Sequence, residues 1–255
     1  MLRTPVAPPA ATAVQRRLAA VCGALRVHLL AAGQSSSDPG PGWLPVSELP
    51  SRTAELVRGE AARIEAGNGV APRVHVAASR LLHHYLWSGC LLFSGPWYLA
   101  GQVPVIRPED LWIHTATGDL ALRPGGLVPG TAADLRDAVV EHLTPVLDAF
   151  GPHVKRGPRA LWGMAADDLL SGIWYLGRML GEEERAVRVA TDLLPGGTPP
   201  FPGTAAFRRL TGTEGRTHLT RTRLGCCLYY AIRPAEACVT CPRTDDPERV
   251  RRLEL

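Results

Sequence analysis

The chain has 255 residues, 45% of them hydrophobic and 20% charged, with a formal net charge of +4. That length and balance build one buried core with room for a small appended module, and they exclude a disordered or fibrous chain. Lys155 is the only lysine, so arginine carries nearly all the positive charge. Residues 201–255 hold ten arginines against six acids, which places the whole +4 there and leaves residues 1–200 balanced. A charge this small, with no recognition motif among the arginines, argues against a nucleic-acid-binding protein.

Residues 1–10 read as a loose proline-rich arm. From 11 to 32, Val14, Leu18, Val21, Leu25 and Leu29 mark one helical face, ended by Gly33 and the Ser, Asp, Pro and Gly run at 35–42. A second helix is expected over 51–66, with Ala54, Val57, Ala61 and Ile64 inward and Gly67 as its stop. A third begins after Pro72 and carries Val76, Leu81, Leu82, Tyr85 and Leu86 toward Leu92. The segment 81–100 contains His83, His84, Pro96 and two glycines, so it reads as a buried helix followed by a turn and not as a membrane span. Arg26 and His28 interrupt the apolar run after Arg16 and Arg17 too early for an export signal, and a cytoplasmic location is the expectation.

Between 95 and 130 the pattern changes to short apolar runs at 97–100, 103–106, 111–114 and 120–122. These predict a small antiparallel sheet with a hairpin at residues 115–119. Thr131 followed by Asp134 marks a capped helix start, and that helix runs to Phe150 with a kink at Pro145. Leu161, Ala165, Leu169, Ile173, Leu176 and Leu180 form a stripe after Pro158. Residues 182–194 form another helix, and 195–203 a proline and glycine hinge. The predicted class is α+β, mainly helical with a small central antiparallel sheet, divided into a scaffold over 1–203 and a C-terminal module over 204–255. Neither G-x-G-x-x-G after a strand nor G-x-x-x-x-G-K-[ST] occurs, so a bound flavin or nicotinamide is not indicated.

Four of the six cysteines, Cys226, Cys227, Cys238 and Cys241, fall within 16 residues in the spacing CC-x10-C-x2-C. In a reducing compartment such clustering points to metal ligands or redox groups ahead of disulfides. A CxxC turn brings two sulfurs to one centre. Adjacent cysteines in an extended segment point to opposite sides, so both reach one centre only where the backbone bends sharply or the centre is large. A two-iron cluster is larger than a zinc ion, which leans toward [2Fe–2S], although four thiolates by themselves admit zinc, [2Fe–2S] or [4Fe–4S]. Neighbouring guanidinium groups would offset the thiolate charge. Cys22 and Cys90 fall on apolar helix faces and read as core residues.

This spacing, with tyrosine inside the gap and arginines before it, resembles the C-terminal signature of FhuF-type ferric-siderophore reductases. The resemblance implies that Cys226, Cys227, Cys238 and Cys241 hold a [2Fe–2S] cluster. The stretch Arg80-Leu81-Leu82-His83-His84-Tyr85 and the helix start Trp162-Gly163-Met164-Ala165 are loosely similar to the body of that family. The chain departs from the pattern at Ala231, where an arginine is common; Arg233 stands two residues on. The implied activity is one-electron reduction of Fe(III) in a siderophore, hydroxamate type favoured, releasing Fe(II) in the cytoplasm. A ferredoxin or a reductase would be the electron donor, and no catalytic residue beyond the cluster ligands is needed.

Arg221, Arg223, Tyr229, Tyr230 and Arg233 are the substrate-docking candidates, by their proximity to the cysteines. His83, His84 and Trp87 share one helix and read as pocket or core residues; the adjacent histidines fit one helical face poorly. Asp167 and Asp168 are explained by an exposed helix face. Two competing functions stand beside the reductase: a binding or regulatory protein with structural zinc, and a siderophore-biosynthesis ligase-like protein, which would need an ATP site. Neither a nucleic-acid partner nor an integral membrane segment is expected.

Overall fold

The computed structural model describes residues 8–30 and 39–255. Residues 1–7 of the expected arm, the expected stop at Gly33 and the start of the following loop lie outside them, whereas residues 8–10, expected to be loose, begin a helix. Helix α1 (Pro8–Val21) ends earlier than its periodicity predicts, and the chain turns through Cys22 and Gly23. Leu29 fits a helical face four residues after Leu25 and a strand face two residues after Val27. The strand prevails, as β1 (Val27–Leu29), because a partner strand from residues 120–122 lies alongside. After strand β2 (Trp43–Pro45), helix α2 (Leu49–Asn68) starts with a proline in its first turn and stops at Gly69, not Gly67. Gly69 takes the left-handed φ of 73° that a helix end demands.

Helix α3 (Val74–Ala100) is the axis of the molecule and lies against α1, α2 and two later helices. It runs through Pro96, and the residues 97–100 expected as a strand are its last turn. Pro96 cannot donate to the Leu92 carbonyl four residues back; the Gln15 amide of α1 donates to that oxygen at 3.5 Å. At Gly95 a Cβ would stand 2.5 Å from the Leu18 side chain, so the glycine lets α1 lie directly on α3.

Strands β3 (Gln102–Pro104), β4 (Leu111–His114), β5 (Leu120–Leu122) and β6 (Leu127–Pro129) follow. The sheet order β1-β5-β4-β2 includes the expected β4–β5 hairpin. The sheet is mixed instead of wholly antiparallel, because β1 joins parallel to β5, and β3 pairs with β6 separately. Helix α4 (Ala132–Val154) opens with the expected cap: Thr131 accepts from the Asp134 amide, and the Asp134 carboxylate accepts from the Thr131 amide. It continues four residues past Phe150. Helix α5 (Pro158–Met179) presents its apolar stripe to α3, where Gly172 admits Leu91, and α6 (Glu183–Leu193) closes the scaffold.

The proline and glycine segment after α6 is fastened to the core: Phe201 is buried edge-on against Trp162, with ring centroids 5.2 Å apart. Strands β7 (Phe207–Thr211) and β8 (Thr217–Arg221) form a hairpin. An irregular stretch carrying the four cysteines then leads into helix α7 (Asp246–Leu253). The fold is α+β and mainly helical. Among the described residues, no helix is long and apolar enough to cross a membrane.

Candidate metal centre

The adjacent cysteines are set by an anchor on α5 and a bend after them. Asp167 of α5 is fully buried. One of its carboxylate oxygens accepts from Arg221 Nη2 at 2.8 Å and the Leu224 amide at 3.0 Å, and the other accepts from the Gly225 amide at 2.6 Å. Arg221, also fully buried, donates as well to the Ala205 and Asp167 carbonyls and to Ser171. The chain is thereby pressed onto α5 so closely that a Cβ on Gly225 would stand 2.7 Å from the Met164 side chain. Cys226 and Cys227 follow at once. Leu228 then takes a left-handed φ of 64°, rare for a branched residue, and its amide favours the Cys226 thiolate. The backbone therefore bends directly after the adjacent cysteines.

The CxxC half is clamped by α7. The Cys241 amide donates to the Cys238 carbonyl at 2.9 Å and closes the turn. Arg249, almost fully buried, donates to the carbonyls of Val239, Cys241 and Thr244, and Arg252 donates to the Ala237 carbonyl. The Arg223 amide donates to the Thr240 carbonyl and joins the two halves.

The four thiols are electrostatic neighbours. Cys226 meets Cys241 and Cys227, and Cys238 meets Cys227 and Cys241. Burial is the main cause that pushes the Cys226 thiol up, and the Leu228 amide opposes it. Cys227 and Cys241 are buried, Cys226 is half-buried, and Cys238 is exposed. Among the described residues no three His, Cys, Asp or Glu side chains converge as one single-ion site. Four thiols are the donor set that a [2Fe–2S] cluster asks for, two thiolates on each iron. The residues that would hold it are Cys226, Cys227, Cys238 and Cys241.

Guanidinium groups surround these thiols, but only partly from the expected source. Arg223 lies within electrostatic reach of Cys238 and Cys227, and Arg249 binds the Cys241 carbonyl; both come from the tail. Two more come from the scaffold: Arg80 of α3 donates to Cys227 Sγ at 3.1 Å, and Arg156, between α4 and α5, donates to the Cys226 carbonyl at 2.7 Å. Much of the tail's arginine surplus is engaged elsewhere, Arg208 with Asp246, Arg209 with Glu184, and Arg251 and Arg252 with Glu248. Spacing offers no signal for Arg156. Arg80 opens the stretch through Tyr85 noted above for its loose resemblance to the body of a family.

The docking candidates separate into two kinds. Arg221 has no exposed surface to offer a ligand and is a structural anchor. Arg223 is 7% exposed and donates to Asp168 at 3.0 Å. Tyr229 donates to Glu236 and stacks under Arg80, Tyr230 lies under Arg243, and Arg233 pairs with Glu236 at the surface. The exposed face expected for Asp167 and Asp168 is corrected: both are wholly buried, because the tail covers that side of α5. Asp168 also accepts from His83 Nδ1 at 2.8 Å. Burial pushes its pKa up, but His83 and Arg223 outweigh that and hold the carboxyl below its usual range. His83 and His84, expected to share a helical face poorly, flank one stripe and line one cavity together with Arg80 and Trp87.

Residues 223–243 match the family model of the FhuF 2Fe-2S C-terminal domain, consistent with an FhuF-type family member. The match runs from Arg223 through all four cysteines to Arg243 and is confined to the tail. The matched domain is a [2Fe–2S] domain, so the cofactor it supports is that cluster. No curated protein matches the chain.

Proposed function

We propose that this protein is a ferric-siderophore reductase, with residues 204–255 as the electron-transfer module and residues 1–203 as the scaffold that docks the chelate. The observation that carries this reading is the site's architecture: four thiols, one of them exposed, enclosed by guanidinium groups fixed from both the scaffold and α7. When bound, a [2Fe–2S] cluster supplies single electrons at low potential. Siderophore oxygens hold Fe(III) far more strongly than Fe(II), so one electron is enough to loosen the metal.

The chain's own residues have three tasks in this reading. The cysteines ligate, and the Leu228 bend and the Arg249 clamp fix their positions. Arg80 and Arg223 offset thiolate charge and favour the reduced, more negative state. The exposed Cys238 provides an edge where a donor protein, a ferredoxin or a reductase, exchanges an electron. A ferric hydroxamate is the favoured substrate, reduced in the cytoplasm.

The test is the visible and EPR spectrum of anaerobically purified protein before and after dithionite, with iron and zinc content. We expect two irons per chain, a coloured oxidised form, an EPR signal on reduction, and reduction of a ferric trihydroxamate. Serine at any of the four clustered cysteines lowers cluster content and activity together. Serine at Cys22, buried just past the end of α1, or at Cys90, buried where α3 meets α5, leaves the spectrum unchanged. A colourless, EPR-silent protein with stoichiometric zinc overturns the reading.

A further inference from the structure

Along the largely buried helix α3 run the less buried Arg80, His83, His84 and Trp87, with the buried Ser88 continuing their line. Their spacing of three, four, seven and eight residues puts them on one helical face. Opposite stand Ala24 and Arg26, before β1, and the β4–β5 turn with Asp119. The space between is a cavity of about 530 Å³, a size that accommodates a small organic ligand. We infer that this cavity is where the iron chelate docks, with the Arg80 guanidinium bridging the bound chelate and Cys227; the inference rests on the reductase reading.

Arg80 is the reason this cavity is singled out. Its Nη1 donates to Cys227 Sγ at 3.1 Å, its Nη2 bonds His84 Nε2 at 2.8 Å, and its plane lies 4.7 Å from the Tyr229 ring centroid. One rigid, planar group therefore touches a ligand sulfur and the cavity wall at once. A guanidinium only donates, so His84 Nε2 must accept, and the imidazole is neutral with its proton on Nδ1. That fixes a second donor beside Arg80. Arg26 stands 3.9 Å from Asp119 across the mouth, Ser88 adds a hydroxyl, and the Trp87 indole supplies an apolar wall. Donors outnumber acceptors, which suits a ligand whose surface is rich in metal-bound and carbonyl oxygens.

Two larger or similar cavities among the described residues lack this combination. A groove of about 600 Å³ beside Leu228 is walled largely by alkyl groups such as Ile64, Val70 and Ile232. A cavity of about 510 Å³ around Phe93, Val103 and His142 includes no side chain that touches a cysteine. A smaller one of about 220 Å³ shares His83 and Trp87 with the proposed site and reaches Arg223 and Thr240, so it extends that site toward the CxxC half.

The experiment is calorimetric titration of the cluster-loaded protein with the gallium(III) complex of a linear trihydroxamate, which has the charge and shape of the ferric complex but is not reduced. Ala24→Trp fills the rim without removing a side-chain hydrogen bond, and His84→Ala removes a wall donor. Each is expected to weaken binding roughly tenfold or more, with the cluster's visible spectrum unchanged. Val70→Trp, in the alkyl groove, is expected to bind as wild type. Undiminished binding by both cavity variants, loss of binding confined to Val70→Trp, or reduction of the ferric complex with no binding of the gallium complex would each overturn the cavity while leaving the reductase intact. A wild-type protein that neither binds the gallium complex nor reduces the ferric one overturns the reductase reading itself.

Discussion

Helix α5 has two faces that are held in opposite ways. Toward α3 it offers Ala165, Ile173 and Gly172, and meets Cys90 and Leu91 across a close apolar seam. Toward the tail it offers Asp167 and Asp168, which meet Arg221, Arg223 and two backbone amides. The first contact is non-directional and scales with the apolar area removed from water. The second depends on a few directional bonds between charges that have lost their water, so it is strong only while every partner is present. The lesson is that the scaffold tolerates local change, whereas the cysteine-bearing tail rests on single side chains.

The largest expected effect comes from removing the anchor. Asp167→Ala leaves Arg221 as an uncompensated buried charge and releases the amides of Leu224 and Gly225, at a cost of about 3–5 kcal/mol. Limited proteolysis should then cut within 204–255 and bound iron should be lost, while far-UV helicity persists. Collapse of the helicity along with the tail would show that the two regions unfold as one and would break the comparison.

A pH titration sharpens the scaffold side. His142 is buried in the core, where its Nε2 bonds the Tyr85 hydroxyl at 2.7 Å, and burial lowers its pKa from 6.5 to about 4. The unfolded chain takes up this proton below pH 6.5, but the folded chain does not until about pH 4. Stability therefore falls as pH drops through that window, by about 3 kcal/mol. Denaturant unfolding between pH 7 and 4 measures it, and His142→Gln should remove that part of the slope; an unchanged slope would place the effect elsewhere.

Gly225→Ala should cost about 1–3 kcal/mol, because its Cβ meets Met164. Met164→Ala beside it should recover only part of the loss, since the Met164 backbone nitrogen would also stand 3.2 Å from the new methyl. Equal stability of Gly225→Ala and wild type would mean that the tail can lift from α5 at little cost. The smallest effect is expected at Arg80→Gln: cluster content retained, midpoint potential lowered by roughly 40 mV, the equivalent of about 1 kcal/mol in a one-electron couple. A potential that rises or stays fixed in a redox titration would remove Arg80 from the electrostatics of Cys227.

Much of the scaffold is legible in the order of its residues. The stripe from Leu161 to Leu176, the Thr131 cap and the β4–β5 hairpin follow from local periodicity and turn chemistry. Strand β1 is not legible in that way, because Leu29 fits a helical period from Leu25 and a strand period from Val27, and only the distant β5 decides between them. Asp167 and Asp168 resemble a solvated face, since adjacent acids beside an apolar stripe ordinarily are one. Nothing in their spacing announces that two arginines more than fifty residues later will cover them. The polar stripe on α3 is present in the spacing of Arg80, His83, His84, Trp87 and Ser88, but the high apolar content of that helix obscures it.

The sequence by itself determined the donor set and its setting: four cysteines in a spacing that suits a metal centre, a helical scaffold, and a local surplus of arginine. Tertiary structure decided where the compensating charge comes from, since Arg80 and Arg156 reach the cysteines only because α3 and the α4–α5 connection bring them there. It also decided which tail arginines are buried anchors, Arg221 and Arg249, and which pair with acids nearer the surface, such as Arg233 and Arg251. The physical reason is range. Periodicity and turn preference act over a few residues and can be read along the chain, whereas buried ion pairs join groups whose separation in sequence carries no signal.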